Sequence, residues 1–313
     1  MSDPELIEFR SEGERIEAFF YPAQGVDGPA PAVVLAGGWC YVKEIVQPRY
    51  AAAFAEAGFH ALLFDYRRLG GSGGEPRQHL DPHDQIDDYR NALSYLESRD
   101  DVDTDRLGVW GISYSGGHVL ILGAVDPRVR CVASIVPVID GFANLQRAHG
   151  TLGFRKLKQT IRDARRRLYE TGEHSFIPHG AEDPFTEVCT WPFRANHSLF
   201  AWLKETQGPR YENRATVAST EMLLEYTVTP YLERLIDVPT LMVVAEGDDH
   251  TMWELEVEAF KRILTPKKEL FVVPRSGHHS LYRDDELIDL AVRACTDWFQ
   301  THLAAKEVTA NAL

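Results

Sequence analysis

Three observations on this 313-residue chain predict an α/β fold: a mostly parallel, doubly wound sheet with an inserted helical cap. Short apolar runs rich in β-branched residues recur with helical stretches between them. Runs that are apolar on both faces and separated by helices imply a parallel sheet covered on both sides. Between Val138 and about Pro239 the pattern changes to helices with no comparable strand. A hydrophobic content of 44% with 26% charged residues is ordinary for a globular chain able to bury a large core.

Taken in order, residues Ile7 to Tyr21 alternate around a Glu-Gly turn and predict a half-exposed hairpin at the edge of something larger. Four apolar runs follow: Ala32–Leu35, His60–Phe64, Leu107–Trp110 and Cys131–Val136. Two more come much later, Thr240–Val244 and Glu269–Val273. The helical stretch between Val138 and Pro239 carries Trp191, Phe193, Phe200, Trp202, Tyr226 and Tyr231. An excursion that leaves the carboxyl end of one strand and returns to the start of the next lands over the end of the sheet where α/β folds bind ligands. The expected division is therefore core (1–139), helical cap (140–236), core again (237–304) and a frayed tail (305–313).

A net charge of -14 argues against nucleic acid or an anionic membrane as main partner, because phosphate selects Lys/Arg-rich surfaces. The first residues lack both a basic head and an apolar stretch, and no run could span a bilayer, so a cytoplasmic protein is expected. The four cysteines, Cys40, Cys131, Cys189 and Cys295, form no C-x-x-C pair and read as reduced, buried thiols. The expected partner is a small molecule, with a homodimer left open.

Gly111-Ile-Ser113-Tyr-Ser115-Gly116, directly after the run Leu107–Trp110, reads as a nucleophile elbow. A strand that breaks at once into a helix strains the corner residue and lifts its side chain clear of the sheet, which demands small residues two before and two after it. Gly111 and Ser115 fill those places around Ser113. A rival register makes Ser115 the nucleophile, between Ser113 and Gly117. Ser113 is preferred because the apolar run ends at Trp110 and Gly111 is the first residue free to turn.

A serine hydroxyl needs a histidine base, and the histidine needs an acid to fix its tautomer. After Thr240–Val244 comes Ala245-Glu-Gly-Asp248-Asp249-His250, and after Glu269–Val273 comes Pro274-Arg-Ser-Gly277-His278-His279. Asp248 is the expected acid, the first carboxylate after Gly247, with Asp249 the runner-up and Glu246 reachable only by a different loop path. His278, directly after Gly277, is the expected base, and His279 is expected to pack against cap or core. Two backbone amides must hold an oxyanion. Tyr114, following the nucleophile, supplies one, and Gly37-Gly38-Trp39-Cys40 supplies the other through Trp39, with Cys40 as fallback.

Together with Gly37–Glu44, Asp65–Gln78 and Gly277–Tyr282, these residues resemble the dienelactone-hydrolase-like branch of the α/β-hydrolase superfamily, with bacterial hydrolases and fungal polyketide transferases nearest in appearance. The resemblance spans nearly the whole chain outside the tail, and only loosely the cap. It implies an α/β-hydrolase fold and a serine-triad enzyme acting on esters, thioesters or lactones, with no metal or cofactor. The same triad would serve acyl transfer to an alcohol or amine, and a silent ligand-binding hydrolase fold is a third reading. The chain departs from the branch at Gly37-Gly38, where many relatives carry His-Gly, and at His279, where an aromatic is usual.

Lesser signals remain. Asp65-Tyr-Arg67 and the glycines after it lack the G-x-G-x-x-G of a dinucleotide site and read as a structural turn, with Arg67 and Arg77 bracing loops. The run Phe154–Leu168 is the one basic patch, expected as a helix face near the cap entrance that draws anionic substrates. Asp248, Asp249, His250, His278 and His279 have metal-ligand chemistry on paper, and the triad accounts for them better.

Overall fold

A turn that the sequence marks plainly starts the sheet. In the computed structural model, which describes residues 4–303, β1 (Glu5–Ser11) and β2 (Glu14–Tyr21) pair antiparallel through Glu12-Gly13. Both turn residues have positive φ, 48° and 88°, the backbone twist that a two-residue hairpin requires. The expected tail beyond 304 lies outside the described residues.

β2 pairs antiparallel with β4 (His60–Phe64), and from there every neighbour is parallel. β3 (Ala30–Ala36), β5 (Val102–Ile112), β6 (Val129–Ile135), β9 (Thr240–Ala245) and β10 (Lys268–Val273) complete one eight-stranded sheet of order β1-β2-β4-β3-β5-β6-β9-β10. β3, β4 and β9 are buried at every position, as their apolar runs demand. β10 departs from that expectation. It is the edge strand, its Leu270 and Phe271 are half-buried, and Val272 is exposed.

Helices cover both faces, as crossovers between parallel strands require. α1 (Gln47–Glu56) packs with α10 (Asp285–Leu303), and α2 (Pro82–Glu97) packs with α3 (Tyr114–Val125). α2 starts cleanly because Asp81 caps it, accepting from the His83 amide at 2.9 Å, with Pro82 at the first helical position. The expected braces hold the loop after β4: Arg67 donates to Asp88 at 2.8 Å and to Ser11 at 2.9 Å, and Arg77 donates to the Gly70 carbonyl at 2.8 Å.

Between β6 and β9 run α4 (Gly141–Thr171), α5 (Arg194–Thr206), α6 (Val217–Glu225) and α7 (Thr229–Leu232). α4 kinks at Gly150, where φ is 59° and ψ is 178°. The segment also holds a two-residue strand pair absent from the expectation, β7 (Phe176–Ile177) against β8 (Ala215–Thr216). Pieces that short carry no periodicity to read. Entry and exit are stitched side by side: the Gly141 amide donates to the Tyr226 carbonyl, and the Val228 amide to that of Ile139, both at 2.9 Å. No helix among the described residues is long and apolar enough to cross a membrane.

Candidate active site

β5 ends at Ile112, and α3 begins at Tyr114, so the whole reversal falls on Ser113. Its φ of 58° and ψ of -115° are strained for a non-glycine residue. Gly111 is what permits the turn: a Cβ there would sit 2.2 Å from the Ser115 carbonyl oxygen. Ser115 itself is fully buried, bonded to the Gly37 carbonyl and the Tyr66 hydroxyl. The rival register therefore places its hydroxyl inside the packing between α3 and the loop after β3.

Ser113 Oγ lies 3.2 Å from His278 Nε2, and His278 Nδ1 lies 2.8 Å from Asp248 Oδ2. The three come from the carboxyl ends of β5, β9 and β10, and each is buried. The acid loop is shaped by the Gly247 amide donating to the Ser276 carbonyl at 2.8 Å, which ties the two loops together. Asp248 Oδ1 accepts from the amides of His250 at 2.8 Å and Thr251 at 3.0 Å. Burial alone would raise the Asp248 pKa, but His278 and these donors outweigh it and lower it to about 2.

The alternatives are engaged elsewhere. Asp249 is exposed and bonds His250 Nδ1 at 2.7 Å, while Glu246 accepts from the Arg275 amide at 2.6 Å. His279 bonds Asn196 of α5, and burial lowers its pKa to about 2. It thus packs against the inserted segment, and His250 Nε2 meets the same Asn196 oxygen at 3.2 Å. Asp248, Asp249 and His250 bring potential ligand atoms within 4.8 Å of one another. Both Asp248 oxygens are already occupied by His278 and the two amides, so a cation would have to displace the dyad.

Gly38 approaches the serine so closely that a Cβ would lie 2.9 Å from Ser113 Cβ. This brings the next residue, Trp39, beside Tyr114, with ring centroids 5.2 Å apart. Cys40 turns the other way, its thiol against the Arg214 carbonyl at 3.4 Å. The loop is held from behind by Asp65, which accepts from the Lys43 amide at 2.6 Å and from its ammonium at 2.9 Å. Lys43 is buried and also donates to Glu17 at 2.6 Å.

Over Ser113 the walls are Trp39, Tyr41, His250, Thr251 and His278 from the core and His179, Trp191, Asn196 and Phe200 from the segment between β6 and β9. The space between these walls is cramped, with room for about one water. The residues with no assigned role in the sequence are Tyr41, Tyr282, His179, Thr251 and Asn196, and His250 is read there only as a possible metal ligand. The Tyr41 and Tyr282 rings meet edge to face at 5.4 Å. Both stand inside the strings that carry the family resemblance, which was the available signal. Nothing in the basic run of α4 lines this space, and Arg165, Arg166 and Arg167 are paired with Glu221, Glu170 and Glu173. Arg155, Lys156, Lys158 and Arg162 of the same run carry no salt bridge among the described residues.

Residues 13–280 match the X-Pro dipeptidyl-peptidase (S15) family. The chain is 29% identical over 273 residues to an acyltransferase, drtE, of Aspergillus calidoustus, covering 86% of each. It is 28% identical over 257 residues to a thiohydrolase, aneE, of Aspergillus aculeatus, covering 80% of this chain and 79% of that one. In three dimensions it superposes on the α/β-hydrolase GrgF from Penicillium with a TM-score of 0.81, at 23% identity over 96% of this chain and 99% of that one. An identity that low speaks for the fold alone. The fold is the α/β-hydrolase fold, and the chain belongs to the X-Pro dipeptidyl-peptidase (S15) family.

Proposed function

We propose that this protein is a serine hydrolase that cleaves an ester, thioester or lactone through an acyl-enzyme on Ser113. The observation that carries the reading is the line from Ser113 Oγ to His278 Nε2 at 3.2 Å and from His278 Nδ1 to Asp248 at 2.8 Å. His278 Nε2 takes the hydroxyl proton as Oγ attacks the acyl carbon, then returns it to the leaving group. Asp248 accepts from Nδ1–H, fixing the tautomer and stabilising the imidazolium. The amides of Tyr114 and Trp39 receive the oxyanion. Water then releases the acyl group, and the scheme asks for no metal or cofactor. Residues 140–236 act as a cap, and Trp191 and Phe200 favour an apolar acyl group.

Acyl transfer is the second reading, favoured by the acyltransferase at 29% identity. Product analysis with competing alcohol and amine acceptors separates the two. For the first reading, intact mass after a fluorophosphonate probe should show one adduct on the wild type and on Ser115→Ala, and none on Ser113→Ala. Labelling that survives Ser113→Ala and disappears in Ser115→Ala overturns it.

A further inference from the structure

Close to the triad lies a buried acid for which the scheme above has no use. Glu256, on α8 (Trp253–Arg262), is fully buried. Its Oε1 accepts from Thr251 Oγ1 at 3.0 Å, and its Oε2 is buried without a hydrogen-bond partner. Thr251 Oγ1 lies 3.3 Å from His278 Nδ1, the nitrogen that also meets Asp248 Oδ2. The Thr251 amide donates to the other Asp248 oxygen at 3.0 Å. One threonine therefore touches both the acid and the base.

The direction of these bonds follows from the donors available. A carboxylate only accepts, so the proton on His278 Nδ1 points at Asp248. The Thr251 oxygen must share that proton as a second acceptor, which leaves the threonine's own hydrogen for Glu256 Oε1. Glu256 thus sets the hydroxyl so that its lone pairs face the imidazole. Its protonation state suits that role, because burial and the negative charge of Asp248 both push its pKa well above the carboxylate range. A neutral carboxyl orients the threonine without adding a second negative charge that would hold the imidazolium and slow return of its proton. The other ionisable groups around it are His278 behind Thr251, His250 stacked on His278 at 5.1 Å, and Asp249 bonded to His250. A buried polar atom left unpaired is costly to keep and needs a reason.

We propose that Glu256 is a positioning residue for the catalytic histidine, acting through the hydroxyl of Thr251. This rests on Ser113 and His278 being nucleophile and base. The test is the rate at which a fluorophosphonate probe modifies Ser113, followed by intact mass from about pH 5 to 9, on the wild type and four variants whose fold is checked by thermal melting. Glu256→Leu and Thr251→Val should each react about tenfold slower with a displaced pH midpoint. Glu256→Gln, neutral and of the same shape, should restore most of the rate lost in Glu256→Leu. The double variant Thr251→Val/Glu256→Leu should be no slower than either single, because both break one chain. Thr251→Val leaves Glu256 untouched and carries the same expectation if Glu256→Leu is poorly folded. Single variants that react like the wild type at an unchanged midpoint, or effects that multiply in the double, overturn this inference alone. A wild type that takes no probe overturns the serine reading and this inference with it.

Discussion

The parallel sheet and the segment inserted between β6 and β9 contribute to the same cavity in different ways. The sheet supplies Ser113, Asp248 and His278 from loops whose backbone is fixed by strand ends, by Gly111 and by the amide bonds between the two loops. The segment supplies side chains alone: Trp191, Phe200 and His179 as walls, and Asn196 bridging His250 and His279. In the proposed function, chemistry depends on the backbone, and the shape of the acyl pocket depends on side chains that can be exchanged. That contrast predicts that variants in the two regions fail differently.

The largest effect belongs to the sheet. Ser113→Ala should lower kcat by about 10⁵-fold or more, and Asp248→Asn by about 10⁴-fold through the wrong histidine tautomer, with KM little changed. Ser115→Ala, two residues away, should keep most of the activity and lose about 1 to 2 kcal/mol of stability, because its buried hydroxyl only ties α3 to Gly37 and Tyr66. Steady-state kinetics with denaturant melts would separate these outcomes, and a Ser115→Ala enzyme as dead as Ser113→Ala would break the comparison.

Changes in the segment should be smaller and selective. Phe200→Ala enlarges the acyl wall, so kcat/KM for an ester with a long acyl chain should fall about tenfold while that for an acetyl ester changes by about threefold or less. An equal loss for both esters would mean that the segment shapes the catalytic geometry itself.

Acid should loosen the two regions at different pH. Three histidines shielded from water stand at or near the junction: burial lowers His118 to about 3, His179 to about 3 and His279 to about 2, from an ordinary 6.5. Each binds its proton less readily folded than unfolded, so its contribution is complete above pH 6.5 and is lost as the pH falls below it. At pH 5 that amounts to about 2 kcal/mol apiece. Asp248, depressed from 3.8 to about 2, loses its contribution only below 3.8. In the 5-fluorotryptophan-labelled protein, the fluorine NMR signals of Trp191 and Trp202 in the segment should therefore change at higher pH than those of Trp110 and Trp298 in the core. Coincident transitions would show that segment and sheet unfold as one, and His279→Asn should flatten the earlier phase.

The core was legible because strand, turn and helix each leave a local periodicity. The hairpin turn, the six apolar runs and the helical character of 140–236 are all read within windows of about 4 to 15 residues. The order of serine, acid and histidine at successive strand ends was legible for the same reason. β10 was misread as covered on both faces, because an apolar run does not record whether a neighbour exists beyond it. The two-residue strand pair and the contacts of Thr251, Asn196 and Glu256 left no local pattern.

By itself, then, the sequence determined the fold class and singled out the Ser113/Ser115 turn, Asp248 and His278 as candidates, since each depends on neighbours a few residues away and on the steric demands of glycine beside a sharp turn. Only the tertiary structure gave the two serines different surroundings, because the Ser113 hydroxyl meets an imidazole from 165 residues away and the Ser115 hydroxyl a carbonyl 78 residues back. It alone also joined Asn196 to two histidines and Glu256 to the triad. Those contacts depend on the crossing of elements distant in sequence, and hydrogen-bond geometry at about 3 Å leaves no trace in the spacing of letters.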